Sequence, residues 1–262
     1  MEDFELPEYT SPPVREVAVS VQVAPLPAAF VAHAARIGDK MDGRYPTIEV
    51  HPPLPPLYAS LHRPTVHFDL GGQPSVRTWL ANPAGTELIQ LQSNRIAYNW
   101  RADQETGGED YPRWQHIRSR FTGVFATVDE YCAFNGLGSL NPQIVEVTYH
   151  NVWLLGTDET LDRLLAPLSS SWPGSGLPAE MAVSRLSLAS PLDHAAGGAL
   201  VIEAGAAPDR SMHLQLVATI QLSPPNTIEE VRAAMDFGRV AIVRSFTAMT
   251  TTYAHELWGR TR

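Results

Sequence analysis

The stretch "VREVAVSVQV", residues 14–23, decides the fold. Valine occupies every second position from 17 to 23, and smaller or polar residues lie between. A period of two is typical of a β-strand with one buried face. A second stretch, "IVEVTYHNVW" at 144–153, aligns with the first, so that Glu16 matches Glu146 and Val17 matches Val147. The chain is therefore predicted to carry two related strands.

A second pair of matches follows in the same order. "RSRFTGVF" at 118–125 aligns with "VRSFTAMT" at 243–250. Two matches in one order indicate an internal duplication. We expect an α+β fold with internally duplicated β-α-β-β-β-α halves and an antiparallel sheet packed against two long helices. Residues 1–13 are predicted to be a flexible N-terminal arm, 14–136 the first repeat and 137–262 the second, together one compact pseudo-symmetric unit.

Each half is predicted to end in a long helix. The first begins at Pro112, and its apolar residues recur at steps of three and four. The second runs from about Asn226 to Trp258 with one gap in its apolar stripe, at Gly238. A glycine at that position predicts a close approach of the helix backbone to its neighbour.

The connections between these elements are less regular. Strands are predicted at 65–70 and within "ELIQLQSNRIAYNWR" at 87–101, and a loop at 169–178. The segment 45–66 contains six prolines. Proline removes a ladder donor, so beyond "TIEV" this segment is expected to be an extended surface connection.

Composition limits the partners and the location. The net charge of −9 disfavours nucleic acid, because phosphate binding needs concentrated positive charge. No window approaches the roughly 18 apolar residues of a membrane span, and the chain starts acidic, so we expect a cytoplasmic protein without membrane contact. The lone Cys132 excludes internal disulfides. Lys40 is the only lysine among 19 basic residues, a bias that suggests a GC-rich bacterial genome.

Familiar catalytic motifs are absent from the sequence. It contains no Walker loop, G-x-G-x-x-G, H-E-x-x-H or G-x-S-x-G. His67 and Asp69 would share a strand face, and Asp193 adjoins His194, but neither pair has a recognisable third ligand. We therefore predict no metal and no cofactor.

The predicted duplication brings the end of each half's sheet near the midline, where polar and aromatic groups could meet. The candidate ligand-binding residues are Tyr98, Trp100, Arg101, His116, Tyr149, His150 and Asn151. Histidine titrates near neutrality and arginine can hold a carboxylate, so acid–base work could be assembled from them. The competing interpretation is a scaffold corner, in which Tyr98 and Trp100 are core and Arg101 forms a surface ion pair.

The same blocks carry a resemblance. "SPPVREVAVSVQV", "LIQLQSNRIAYNWR", "YPRWQHIRSRF" and "VEVTYHNVW" resemble a sporadically distributed bacterial family of roughly this length. That family has no assigned function, so the resemblance implies an accessory protein of patchy distribution and transfers no catalytic residue.

Our leading hypothesis is a non-enzymatic bacterial accessory protein whose groove between sheet and helices binds a peptide, a protein or a small molecule. The alternative is a small enzyme, or an enzyme subunit, that acts on an apolar substrate through the Tyr/Arg/His cluster. A homodimer built on the C-terminal helix is a further structural alternative.

Overall fold

A computed structural model of the chain describes residues 6–41, 43–59, 76–103, 111–156, 161–168, 185–224 and 226–262. The strands are β1 Val14–Val23, β2 Thr47–His51, β3 Arg77–Ala81, β4 Glu87–Gln92, β5 Arg95–Arg101, β6 Pro142–Leu154, β7 Arg185–Pro191, β8 Gly198–Ala206 and β9 Ser211–Gln221. The helices are α1 Phe30–Asp39, α2 Trp114–Phe134, α3 Leu161–Leu164, α4 Ile228–Met249 and α5 Thr252–Leu257.

The strands of the described residues form one nine-stranded antiparallel sheet in the order β2-β3-β4-β5-β1-β6-β9-β8-β7. The predicted α+β class and antiparallel sheet are therefore confirmed. The two strands that the sequence comparison aligned, β1 and β6, are neighbours at the centre of the sheet. The first half of the chain extends the sheet on one side of this pair, and the second half extends it on the other.

The valine alternation of β1 defines the two faces of the sheet. Val17 and Val19 are fully buried on the face that the long helices cover. Val17 lies opposite Trp100 of β5 on one side and opposite Tyr149 of β6 on the other. Successive side chains point to opposite faces, so Arg101 and His150 lie on the other face. We call these the helix face and the open face.

Helix α4 packs closely on β6 and β9 at Gly238. A Cβ atom at this position would lie 2.9 Å from Ile220 Cδ1 and 3.3 Å from Val147 Cγ2. The predicted close approach at Gly238 is therefore confirmed. It brings the next residue of α4, Arg239, close to the helix face of the sheet.

The predicted packing of the sheet against two long helices describes the helical layer only in part. α2 and α4 are long, with 21 and 22 residues, but the shorter α1, α3 and α5 accompany them. The helix predicted from Asn226 to Trp258 also ends early, because Thr250 leaves it with φ −109° and ψ 149°.

Tertiary contacts explain this break. Thr250 pairs with Leu165 in an isolated β-bridge, and the backbone N–H of Thr251 donates to Leu164 O at 3.0 Å. The Thr251 side chain then accepts from the N–H of Ala254 and caps α5. A helical periodicity carries no information about this long-range pairing.

The described part of the proline-rich segment, which ends at residue 59, packs on the open face rather than only connecting strands at the surface. Beyond β2, the Leu54 N–H donates to Gln92 Oε1 at 2.8 Å, and the Leu57 N–H donates to Gln22 Oε1 at 2.7 Å. Arg95 donates to Pro55 O at 2.6 Å. Because prolines lack the N–H, glutamine and arginine side chains supply the bonds that a β-ladder would have made. The strand predicted at 65–70 and the loop predicted at 169–178 lie outside the described residues.

Candidate functional site

A cavity of about 380 Å³ lies between the helix face of the sheet, α2 and α4. Volumes of roughly 300–1,000 Å³ are usual for small-molecule sites. Tyr149 and Asn151 reach it from β6, Trp114 from the start of α2, and Phe246 from α4. Its position is that of the predicted groove between sheet and helices.

Two tyrosines meet at the wall of the cavity. The hydroxyls of Tyr111 and Tyr149 are 3.0 Å apart and share a hydrogen bond. The Trp100 ring packs on Tyr111 with ring centroids 5.4 Å apart. Burial raises the pKa of Tyr111, and it raises the pKa of Tyr149 well above 10.0. Both hydroxyls are therefore neutral at physiological pH and available as hydrogen-bond donors and acceptors.

Arg239 of α4 supplies a positive charge to this wall. Its guanidinium lies near enough to both hydroxyls to oppose the rise in the pKa values of Tyr111 and Tyr149. Among the described residues, no carboxylate lies within 4.0 Å of Arg239. Its Nε is buried and has no hydrogen-bond partner there. Buried donors are normally paired, so the unpartnered Nε of Arg239 identifies the polar end of the cavity.

Arg113 forms part of the rim with a strained backbone. It adopts φ 71° and ψ 161°, a region that is almost restricted to glycine and costs about 1–3 kcal/mol for other residues. Its Nη1 donates to Tyr9 O at 3.1 Å, and its guanidinium lies 5.7 Å from the centroid of the Tyr111 ring. Strain of this kind concentrates at ligand sites, which favours a binding role for the rim.

Asp236 of α4 joins α4 to the first turns of α2. One of its carboxylate oxygens accepts from Trp114 Nε1 at 2.6 Å, and the other accepts from Arg118 Nη1 at 2.5 Å. The indole that lines the cavity is therefore held by a charge-assisted bond.

Both ends of the chain cover the mouth of the cavity. Tyr9 is buried and forms a β-bridge with Arg260, and its hydroxyl is 2.9 Å from Thr247 Oγ1. Its ring also packs edge-on against Phe246 and Trp258. We call residues 6–13 the described arm. The sequence predicted a flexible arm over residues 1–13. The described arm makes the contacts given above, and residues 1–5 lie outside the described residues.

The structure brings only some of the predicted site residues together. Tyr149 and Asn151 line the cavity, and Trp100 contacts it through Tyr111. Asn151 is almost fully buried and donates through Nδ2 to Leu214 O at 3.0 Å.

Tyr98 and His116 belong to a separate cluster around Glu87 on the helix side. Glu87 Oε2 accepts from Tyr45 at 2.7 Å and from Arg120 at 2.5 Å. His116 Nε2 is 4.0 Å from the other carboxylate oxygen, and Tyr98 is fully buried beside the cluster. Burial would raise the pKa of the Glu87 carboxyl, but the hydrogen bonds from Arg120 and Tyr45 lower it below its ordinary value. The cluster ties β4 to α2 and is consistent with a structural role.

Arg101 and His150 lie on the open face, away from the cavity. Arg101 Nε is 3.4 Å from a carboxylate oxygen of Glu16. His150 Nε2 is 3.0 Å from Nδ1 of His213, and the ring planes are tilted by only 19°. The other His213 nitrogen is 3.0 Å from Ser211 Oγ. Burial and the neighbouring His213 lower the pKa of His150.

Among the residues that line the cavity, the predicted site contained only Tyr149 and Asn151. It missed the others, including Tyr9, Arg113 and Arg239. One signal was available for the last of them, because Arg239 follows the glycine at which α4 was predicted to approach its neighbour. No local pattern linked Tyr9 to the far end of the chain.

Comparisons of this chain with protein-family models, curated proteins and solved structures give no match. Within the described ranges, no group of three or more His, Cys, Asp or Glu side chains could hold a metal ion. The same ranges contain no helix that is long and apolar enough to cross a membrane.

Proposed function

We propose that the protein is a non-enzymatic accessory protein that binds a small molecule in the cavity beneath the described arm. The observation that carries this proposal is the cavity of about 380 Å³, with Tyr149 and Asn151 of the sheet on one side and α4 on the other. A cavity with an apolar wall and a few converging polar groups is the usual form of a ligand site.

The arrangement of the candidate groups favours binding over catalysis. The alternative enzyme needs Tyr98, Arg101, His116, Tyr149 and His150 around one substrate. The sheet separates Arg101 and His150 from the other three. General acid–base catalysis requires groups within hydrogen-bond reach of the reacting atoms.

The proposal includes an internal duplication. Its support is the strand order, in which β5, β4 and β3 follow β1 on one side while β9, β8 and β7 follow β6 on the other. In each half the strands are followed by a long helix, α2 or α4. Two such halves that share the β1–β6 ladder leave the cavity between their helices.

A bacterial and cytoplasmic setting and membership of the sporadic family remain parts of the proposal, and the structural alternative is a homodimer built on the C-terminal helix. Light scattering on purified protein tests the last of these. A monomeric mass at micromolar concentration would remove the dimer.

Filling the cavity tests ligand binding. Val243 lines the cavity from α4, and Ala248 is exposed on the same helix. Saturation-transfer NMR with a set of small neutral and acidic aromatic compounds should detect binders of the wild type. Val243→Trp should abolish these signals, while Ala248→Trp should retain them. Equal binding by all three proteins would contradict the proposed site.

A further inference from the structure

We propose that the ligand of this cavity is a carboxylic acid with a flat apolar body, held through its carboxylate by Arg239. This inference rests on the proposed function and adds the chemical class of the ligand.

The position of the guanidinium supports an anionic ligand. Arg239 lines the cavity, its Nε is buried without a partner, and no described carboxylate lies within 4.0 Å of it. A buried donor without a partner costs free energy in the empty site. A ligand carboxylate would remove that cost, because its two oxygens match the planar fork of arginine.

Charge at the mouth favours a carboxylate over a phosphate. Arg239 and Arg113 both line the cavity without a described carboxylate within 4.0 Å, and Arg113 already donates one hydrogen bond to Tyr9 O. Glu8 also lines the cavity, and it is ion-paired with Arg262. A second negative charge on the ligand would be repelled by the Glu8 carboxylate, so a single negative charge suits the cavity better than two.

The hydroxyls of the two tyrosines complete the polar end. One of the two hydroxyls, of Tyr111 or Tyr149, donates to the other, so the accepting hydroxyl can donate its own proton to a ligand oxygen. The remaining wall includes Trp114, Phe246, Ile242 and Leu216, which suit an aromatic or aliphatic body.

A matched pair of probes tests the inference. 3-Phenylpropanoate and 3-phenylpropanamide have nearly the same shape and differ in charge, and phenyl phosphate serves as a dianion control. Isothermal titration calorimetry should give an acid affinity on the order of 10-fold or more above that of the amide. Phenyl phosphate should bind no better than the amide.

Substitutions then locate the charge. Arg239→Met keeps an apolar stem but removes the guanidinium, so it should lose the preference for the acid while retaining the amide affinity. Arg239→Lys should restore only part of the preference, because it lacks the fork. Arg244→Met, at an exposed position of the same helix, should bind like the wild type.

Each outcome decides between the two proposals. Equal affinity of acid and amide in the wild type would overturn the carboxylate inference, and loss of both in Val243→Trp would still support the cavity as a site. A preference that persists in Arg239→Met would overturn the role of Arg239. Tighter binding of phenyl phosphate than of the acid would overturn the singly charged class. Absence of binding by either probe would also overturn the carboxylate class, and the compound set tested with Val243→Trp then decides on the cavity itself.

Discussion

Replacing Gly238 by alanine tests the closest contact between α4 and the sheet. Alanine is favoured over glycine inside a helix by about 1 kcal/mol. Here the added Cβ would lie 2.9 Å from Ile220 Cδ1 and 3.3 Å from Val147 Cγ2. Overpacking of this kind costs about 1–3 kcal/mol. We therefore expect Gly238→Ala to lower the free energy of unfolding by about 0–2 kcal/mol, despite the gain in helix propensity.

Gly123 provides the matched control. It lies inside α2, is exposed, and an added Cβ would have nothing within 4 Å. Gly123→Ala should therefore stabilise the protein by about 1 kcal/mol. Urea unfolding followed by circular dichroism at equal protein concentration measures both variants. For a chain of this size, each 1 kcal/mol corresponds to about 2–4 °C in Tm.

A second substitution identifies the clashing atom. Ile220→Val removes the Cδ1 methyl and should by itself cost about 0.5–1.5 kcal/mol. The double variant Gly238→Ala/Ile220→Val should be destabilised by about 1 kcal/mol less than the sum of the two single variants, because the methyl that blocks the new Cβ is gone. If Gly238→Ala stabilises as much as Gly123→Ala, or if the two costs simply add, the described register of α4 on β9 is wrong.

Further changes test the ion pair, the histidine pair and the arm. Glu87→Gln should cost about 1–3 kcal/mol at pH 7, because Arg120 loses its charged partner in a site where both side chains are about one-fifth exposed. Because the pKa of Glu87 is lowered in the folded protein, its carboxylate stabilises the fold fully above pH 4.5, and this stabilisation is lost as the pH falls through the lower folded-state pKa. Urea unfolding in acid should therefore give the variant and the wild type similar free energies of unfolding. His150→Gln should flatten the stability profile on the acid side of neutrality. Burial and His213 lower the His150 pKa from 6.5, so the unfolded chain takes up this proton first, and the free energy of unfolding decreases as the pH is lowered below 6.5. If the variant's profile is as steep as that of the wild type, His150 does not have this role. Tyr9→Ala should cost about 3 kcal/mol and expose the chain ends to limited proteolysis, whereas Tyr9→Phe should cost about 1 kcal/mol; equal effects of the two would show that the ring contributes nothing.

The candidate site was predictable only in part. Tyr149 and Asn151 could be proposed because the predicted duplication places the ends of the two half-sheets near the midline. Tyr98 lies on the same face of the sheet as Trp100 but two residues earlier in β5, next to the Glu87 cluster. Strand positions show which face a side chain occupies, and they do not show which helix covers it.

The two faces of β1 illustrate what the sequence by itself determined. Its alternation required one buried and one more polar face, and the single gap in an apolar helical stripe located Gly238. Both are local consequences of backbone geometry, which repeats every two residues in a strand and every 3.6 in a helix. The tertiary structure alone decided that Tyr9 meets Trp258, that Thr250 leaves its helix, and that Arg239 lies at the cavity without a described carboxylate partner. These outcomes depend on residues that are distant in sequence, and their pairing follows from strand order and helix packing rather than from any local period.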